Sequence, residues 1–161
     1  MGSDNSNLGR CDATRGAGLG SGGAGPANSC FVCGPDNPIG LHLHFRLDDD
    51  GRCVADFSPT EHHVGYPGVV HGGIIYSALD DSMANWLYLR GARAYTARSS
   101  VRYRATVAPG EALRLEGRAV SRRGRVVEMA GVASRASDGE LMAEATATFV
   151  VVEGRDRIRE V

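Results

Sequence analysis

The chain has 161 residues, 42% of them hydrophobic and 23% charged, with a formal net charge of −1. These proportions fit one soluble globular domain and exclude a dedicated nucleic-acid binder, which needs a basic excess to neutralise several phosphates. No run reaches the eighteen or so apolar residues of a membrane helix, and no apolar leader marks a secretory signal, so the cytoplasm is the expected compartment.

Eight of the 22 glycines fall within the first 25 positions. Such a segment has too little apolar surface to offset its ordering entropy. Residues 1–28 are therefore read as a flexible Gly-rich tail, 29–153 as the folded domain and 154–161 as a charged, solvated terminus. From Leu41 the chain alternates with period two: Leu41, Leu43, Phe45 and Leu47 are apolar, while His42, His44 and Arg46 are polar. This predicts a half-buried strand, followed by a second over 52–57 after the Asp48-Asp49-Asp50-Gly51 turn. The period then lengthens. Ile75, Leu79, Met83 and Trp86 recur at helical spacing between Ile74 and Arg90, and Gly91 ends the run. One long helix is expected there.

Four alternating segments follow, at about 95–107, 111–121, 125–136 and 140–152. Pro109-Gly110, Arg123-Gly124 and Asp138-Gly139 separate them and predict an antiparallel meander. The layout is α+β: a curved antiparallel sheet of about six strands wrapped around one central helix.

The chemistry is expected where the pattern breaks, at Gly65-Tyr66-Pro67-Gly68-Val69-Val70-His71-Gly72-Gly73. Glycines let backbone approach a ligand closely, and the first helical turn presents unpaired N–H groups at a positive dipole end. That combination suits a carbonyl oxygen that becomes an oxyanion. Asp80 and Asp81 follow within an otherwise apolar helix, where a carboxylate needs a partner or a role. Two solvent-facing carboxylates are the alternative reading.

His71-Gly72-Gly73 through Asp80-Asp81 resembles the HGG motif and catalytic helix of the hotdog-fold acyl-CoA thioesterases, in the group similar to the phenylacetate-pathway thioesterase. Cys30-Phe31-Val32-Cys33-Gly34-Pro35 with Asn37-Pro38-Ile39-Gly40-Leu41 resembles the N-terminal segment of one subset. Thr96, Val101-Arg102-Tyr103 and Pro109-Gly110-Glu111 resemble the strand after the helix and its exit. The resemblance implies a hotdog fold and hydrolysis of an acyl-CoA or acyl-carrier-protein thioester, without metal or redox cofactor. It implies that the Gly72 N–H polarises the thioester carbonyl, that His71 supports this loop, and that Asp80 is nucleophile or general base. Thr96 would help hold the attacking water. Gly73, Tyr76 and Asp81 are assigned to substrate binding, and Tyr76, Met83 and Trp86 to the walls of an acyl pocket. Some members carry Asn six residues before the His; here that position is Gly65, and His62 and His63 are expected at the mouth instead.

Gly72 and Asp80 are eight residues apart, about 12 Å along a helix axis. Catalytic groups must lie within hydrogen-bond reach of the reacting atoms, so both can act on one carbonyl only if they come from different subunits. A homodimer or a homotetramer is expected.

Cys30 and Cys33 form a CxxC, with His42 and His44 downstream. Without a second CxxC or a spaced HxxxH this is read as a turn with small buried thiols, and no metal is expected. Glu61, His62 and His63 are read as a polar loop at the substrate mouth. Arg102 and Arg104 are assigned to coenzyme phosphates, since guanidinium matches phosphate geometry. Two other functions share these features: an acyl-CoA binding module in which Asp80 is not a catalyst, and a hotdog dehydratase, which would need His71 free as an acid or base.

Overall fold

The centre of the molecule is a 17-residue helix, α1 (Gly72–Tyr88), which begins two residues earlier than the apolar periodicity implied. Its buried face comprises Ile75, Ala78, Leu79, Ser82, Met83, Asn85, Trp86 and Leu87. Each large apolar chain so buried contributes about 1.5–3 kcal/mol. The helix stops where Gly91, at φ +79°, follows it. There the N–H groups of Gly91 and Ala92 turn back to the carbonyls of Tyr88 and Leu87. This computed structural model describes residues 27–158. The tail assigned to residues 1–28 lies almost wholly outside the described residues.

The strands are β1 (Arg46–Leu47), β2 (Cys53–Phe57), β3 (Val64–Tyr66), β4 (Val69–Val70), β5 (Arg93–Tyr103), β6 (Leu113–Arg123), β7 (Val126–Arg135) and β8 (Leu141–Glu153). Six of them form one antiparallel sheet in the order β1-β2-β6-β7-β8-β5, while β3 and β4 make a separate hairpin around Pro67-Gly68. Leu113, Leu115, Val127, Met129, Met142 and Phe149 line the sheet face of the core. Helix and sheet come close together at Gly117 and Gly131, which sit opposite each other on β6 and β7. A Cβ on Gly117 would collide with the backbone of Ser82, and one on Gly131 would meet Met83 at 3.4 Å. The two glycines form a trough in which the helix lies.

Three expectations need correction. The last four strands are not a meander: β6, β7 and β8 follow one another, but β5 pairs with β8 at the far edge. Pro109-Gly110 therefore turns a crossover loop rather than a hairpin. That loop is fixed by Val70 N–H donating to the Val107 carbonyl (2.8 Å) and by buried Val107. The 41–47 segment is strand only at Arg46–Leu47. Its alternation survives as burial of Leu43 and Phe45, but the Leu41 and Leu43 N–H groups bond to the Phe31 and Val32 carbonyls instead of a sheet neighbour. Finally, the terminus does not leave the surface at Glu153. A 3-10 turn, Arg155–Arg157, brings Ile158 into the core at 2% exposure, and Arg122 bonds the Arg155 and Ile158 carbonyls. One apolar residue among charges carried too weak a pattern to reveal this. Among the described residues no helix is long and apolar enough to cross a membrane.

Candidate active site

His71 is the N-cap of α1, and its Nδ1 accepts the Gly73 N–H at 2.9 Å. Its carbonyl takes the Ile74 N–H at 2.9 Å, and its own N–H donates to the His63 carbonyl at 2.8 Å. The first helical turn is thereby satisfied except at Gly72, whose N–H has no bond to another described residue. On its other side the Gly72 carbonyl accepts the Tyr103 hydroxyl at 2.7 Å. A Cβ at Gly72 would meet the Tyr103 ring at 3.0 Å, so glycine is what allows the tyrosine of β5 to close over this turn. Gly65 packs edge-on to His71, a Cβ there lying 3.1 Å from the imidazole.

Two turns along α1, Asp80 Oδ1 accepts the Thr96 hydroxyl at 2.9 Å and the Tyr76 hydroxyl at 3.4 Å. Tyr76 also bonds Ser99 at 2.5 Å. Thr96 and Ser99 are three residues apart and would point to opposite faces of a regular strand. An irregularity in the β5–β8 register between Thr96 and Arg98 lets both face α1. Burial holds the Asp80 carboxyl above its ordinary range, against the opposing pull of the Thr96 and Tyr76 hydroxyls. Tyr76 is likewise raised, first by burial.

Asp81 turns to a different set of partners. Its Oδ2 accepts the Asn85 amide at 3.0 Å and its Oδ1 faces the Cys30 thiol at 3.8 Å. Burial, and then the charge of Asp80, raise its carboxyl despite bonds from the two cysteines and Asn85. The fold thus separates the two adjacent aspartates: Asp80 joins hydroxyls on β5, and Asp81 joins thiols.

The sequence profile of the thioesterase superfamily matches residues 67–142, a span that includes the His71 cap, Gly72, Asp80 and Thr96. A solved thioesterase superfamily protein is 30% identical with a TM-score of 0.69, the match covering 74% of this chain and 61% of that one. Over this span the chain is similar to the thioesterase superfamily. A phenylacetic acid degradation-related protein of Ralstonia eutropha is 29% identical over 68% of this chain and 85% of its own, with a TM-score of 0.61. A thioesterase protein of Streptococcus pneumoniae solved with coenzyme A shares the fold at 21% identity, covering 68% of this chain and 85% of its own with a TM-score of 0.63. That bacterial protein was also solved as separate alanine variants of an aspartate and a threonine sixteen positions apart. Among curated proteins, none matches the sequence.

Within this fold the remaining candidate residues are dispersed. His63 is engaged locally: its Nδ1 accepts the Thr60 N–H at 2.9 Å in a capping box, its ring stands 5.8 Å from Phe57, and burial lowers its pKa. Met83 is fully buried against Gly131, and the Trp86 indole N–H donates to the Gly51 carbonyl at 2.8 Å under the Arg90 guanidinium. Arg102 faces Glu144 across the β5–β8 pair, and Arg104 pairs with that carboxylate on the sheet face away from α1. Sequence reasoning missed Ser99. It could have been found only by anticipating the register shift, because its spacing from Thr96 argues for the opposite face.

Proposed function

We propose that the chain hydrolyses an acyl-CoA or acyl-carrier-protein thioester to the free acid and thiol. The observation that carries this reading is Asp80, a half-buried carboxylate on the central helix held by the Thr96 and Tyr76 hydroxyls, within the span that matches the thioesterase superfamily profile. Asp80 takes a proton from water as the water oxygen attacks the thioester carbon. A Gly72 N–H then carries the developing oxyanion, and the C–S bond breaks with the proton passing to the leaving sulfur. Thr96, whose hydroxyl proton is given to Asp80, presents an oxygen lone pair to the attacking water. Gly73 and Tyr76 stand nearest these groups along α1 as candidates for substrate contact, whereas Asp81, turned to the thiols, is not among them. The aspartate and threonine varied in the streptococcal protein have the spacing of Asp80 and Thr96, and that protein's coenzyme A supports the substrate class.

Gly72 and Asp80 lie about 12 Å apart along α1, so the reading places the Gly72 of one chain beside the Asp80 of a second. The edge strand β5 supports this. Its outer edge has no strand partner among the described residues, and it exposes Tyr95 (62%) and Tyr103 (47%). A long unpaired edge of this kind is one that a second copy would cover.

The test is free-thiol release from a panel of acyl-CoAs by the wild type and Asp80→Asn. Turnover lost in the variant supports the assignment. Undiminished turnover overturns the role of Asp80, and tight acyl-CoA binding without any turnover by the wild type favours a binding module.

A further inference from the structure

Cys30, Cys33 and Asp81 are left over from the hydrolytic site, and their ligand atoms all lie within 4.8 Å of one another. The sequence pairs the CxxC with His42 and His44, but both histidines are exposed, and it is Asp81, 48 residues after Cys33, that the fold delivers. From the turn geometry and this third donor we infer that Cys30, Cys33 and Asp81 form a binding site for a zinc-type divalent cation.

The turn is built for the purpose. Cys30 follows the 3-10 turn Ala27–Ser29, and Gly34 N–H donates to the Cys30 carbonyl at 2.9 Å, folding Cys33 back beside it. Gly34 is buried, and a Cβ there would overlap the backbone of Asn28 and Cys30, so the C-x-x-C-G closure requires glycine. The Val32 N–H points at the Cys30 sulfur at 3.4 Å, the backbone-to-sulfur donation that stabilises a thiolate ligand.

The third donor is oriented as well. Asn85, 4% exposed, donates one amide to both the Asp81 carbonyl (2.9 Å) and Oδ2 (3.0 Å), and approaches Cys33 Sγ at 3.9 Å. With Oδ2 held, Oδ1 is the oxygen turned toward the thiols, 3.8 Å from Cys30 Sγ. A tetrahedral ion with sulfur at about 2.3 Å and oxygen at about 2.0–2.2 Å places its donors about 3.5–3.8 Å apart, so small side-chain rotations close the site. Among the described residues no cationic side chain pairs with Asp81. Thiolate donors select zinc-like ions over magnesium or calcium. Three protein donors leave a fourth position for water, and each thiol gives up its proton on binding. The ion would clamp the arm over 30–43 to the second half of α1. This site stands independently of whether the chain hydrolyses thioesters.

The experiment is metal analysis of the full chain purified under reducing conditions, followed by Co(II) titration of the chelator-treated protein. One Zn(II) per chain and a thiolate-to-cobalt charge-transfer absorption saturating at one equivalent are expected. Cys33→Ser should abolish the absorption, Asn85→Ser should weaken uptake about 10–100-fold, and a His42→Ala/His44→Ala double variant should retain it. A wild-type chain that takes up neither Zn(II) nor Co(II) while its thiols react freely with a thiol reagent overturns the proposal. So does uptake that Cys33→Ser leaves unchanged, or that the double histidine variant loses.

Discussion

The hydroxyl of Thr96 on β5 donates to Oδ1 of Asp80 on α1 at 2.9 Å, joining an edge strand to the central helix at the one of the two adjacent aspartates that faces hydroxyls instead of thiols. A hydrogen bond to a charged group is worth about 1.5–3 kcal/mol. Thr96→Val keeps the shape and removes the donor. A fall in kcat/KM of about 10- to 100-fold for acyl-CoA hydrolysis is expected, read by thiol release.

Tyr103 should act one step further from the chemistry. Its hydroxyl holds the Gly72 carbonyl at 2.7 Å and its ring covers that turn. Tyr103→Phe retains the ring and loses a neutral hydrogen bond worth about 0.5–1.5 kcal/mol. A two- to tenfold drop in kcat/KM, roughly, is expected, whereas Tyr103→Ala should fall further because the turn is uncovered.

Packing of helix on sheet is testable at Gly117. The Cβ of Gly117→Ala would run into the Ser82 backbone, which cannot give way as a flexible side chain would. Overpacking of this kind costs about 1–3 kcal/mol or more, measurable as a lower denaturant midpoint at unchanged slope. Gly131→Ala, whose new methyl would be in ordinary contact at 3.4–3.5 Å, should be markedly milder.

The crossover between β5 and β6 carries a pH dependence. Glu111 is held below its ordinary carboxyl range first by the Ala108 N–H at 3.0 Å and then by Arg135, which also binds Asp138 and Glu140 at the β7–β8 turn. A carboxyl lowered by folding contributes stability in full above its unfolded value and loses it as pH falls through its folded value. Denaturant midpoints of the wild type and Glu111→Gln should therefore differ at neutral pH and converge in acid. A gap that stays constant with pH would count against this role.

The helix and the four long strands were legible because each rests on local periodicity, while Asp80 and Thr96 were singled out by the resemblance around His71 and in the strand after the helix. Partner choice was not. The turn at Pro109-Gly110 suggests a hairpin between its flanking strands, and nothing local in Arg93–Tyr103 announces that its partner is β8. The same limit hid Ser99, brought to α1 by a register shift, and Asp81, whose thiol partners lie about fifty positions away. His63 was assigned to the substrate mouth from proximity in sequence, yet its ring nitrogen is used by a local cap.

The claim that one site draws on two chains is tested most directly by mixing two variants that are each expected to be inactive alone. Asp80→Asn removes the base, and Gly72→Pro removes the N–H at a first-turn position whose φ suits proline, although its Cβ presses on the Tyr103 ring at 3.0 Å, so the folding of this variant is checked by its denaturant midpoint. Unfolding, mixing and refolding the pair should generate heterodimers with one intact site each, restoring roughly a quarter of wild-type thiol release. Mixed dimers that form, as shown by differential tagging, and yet release no thiol above either parent would contradict the shared site.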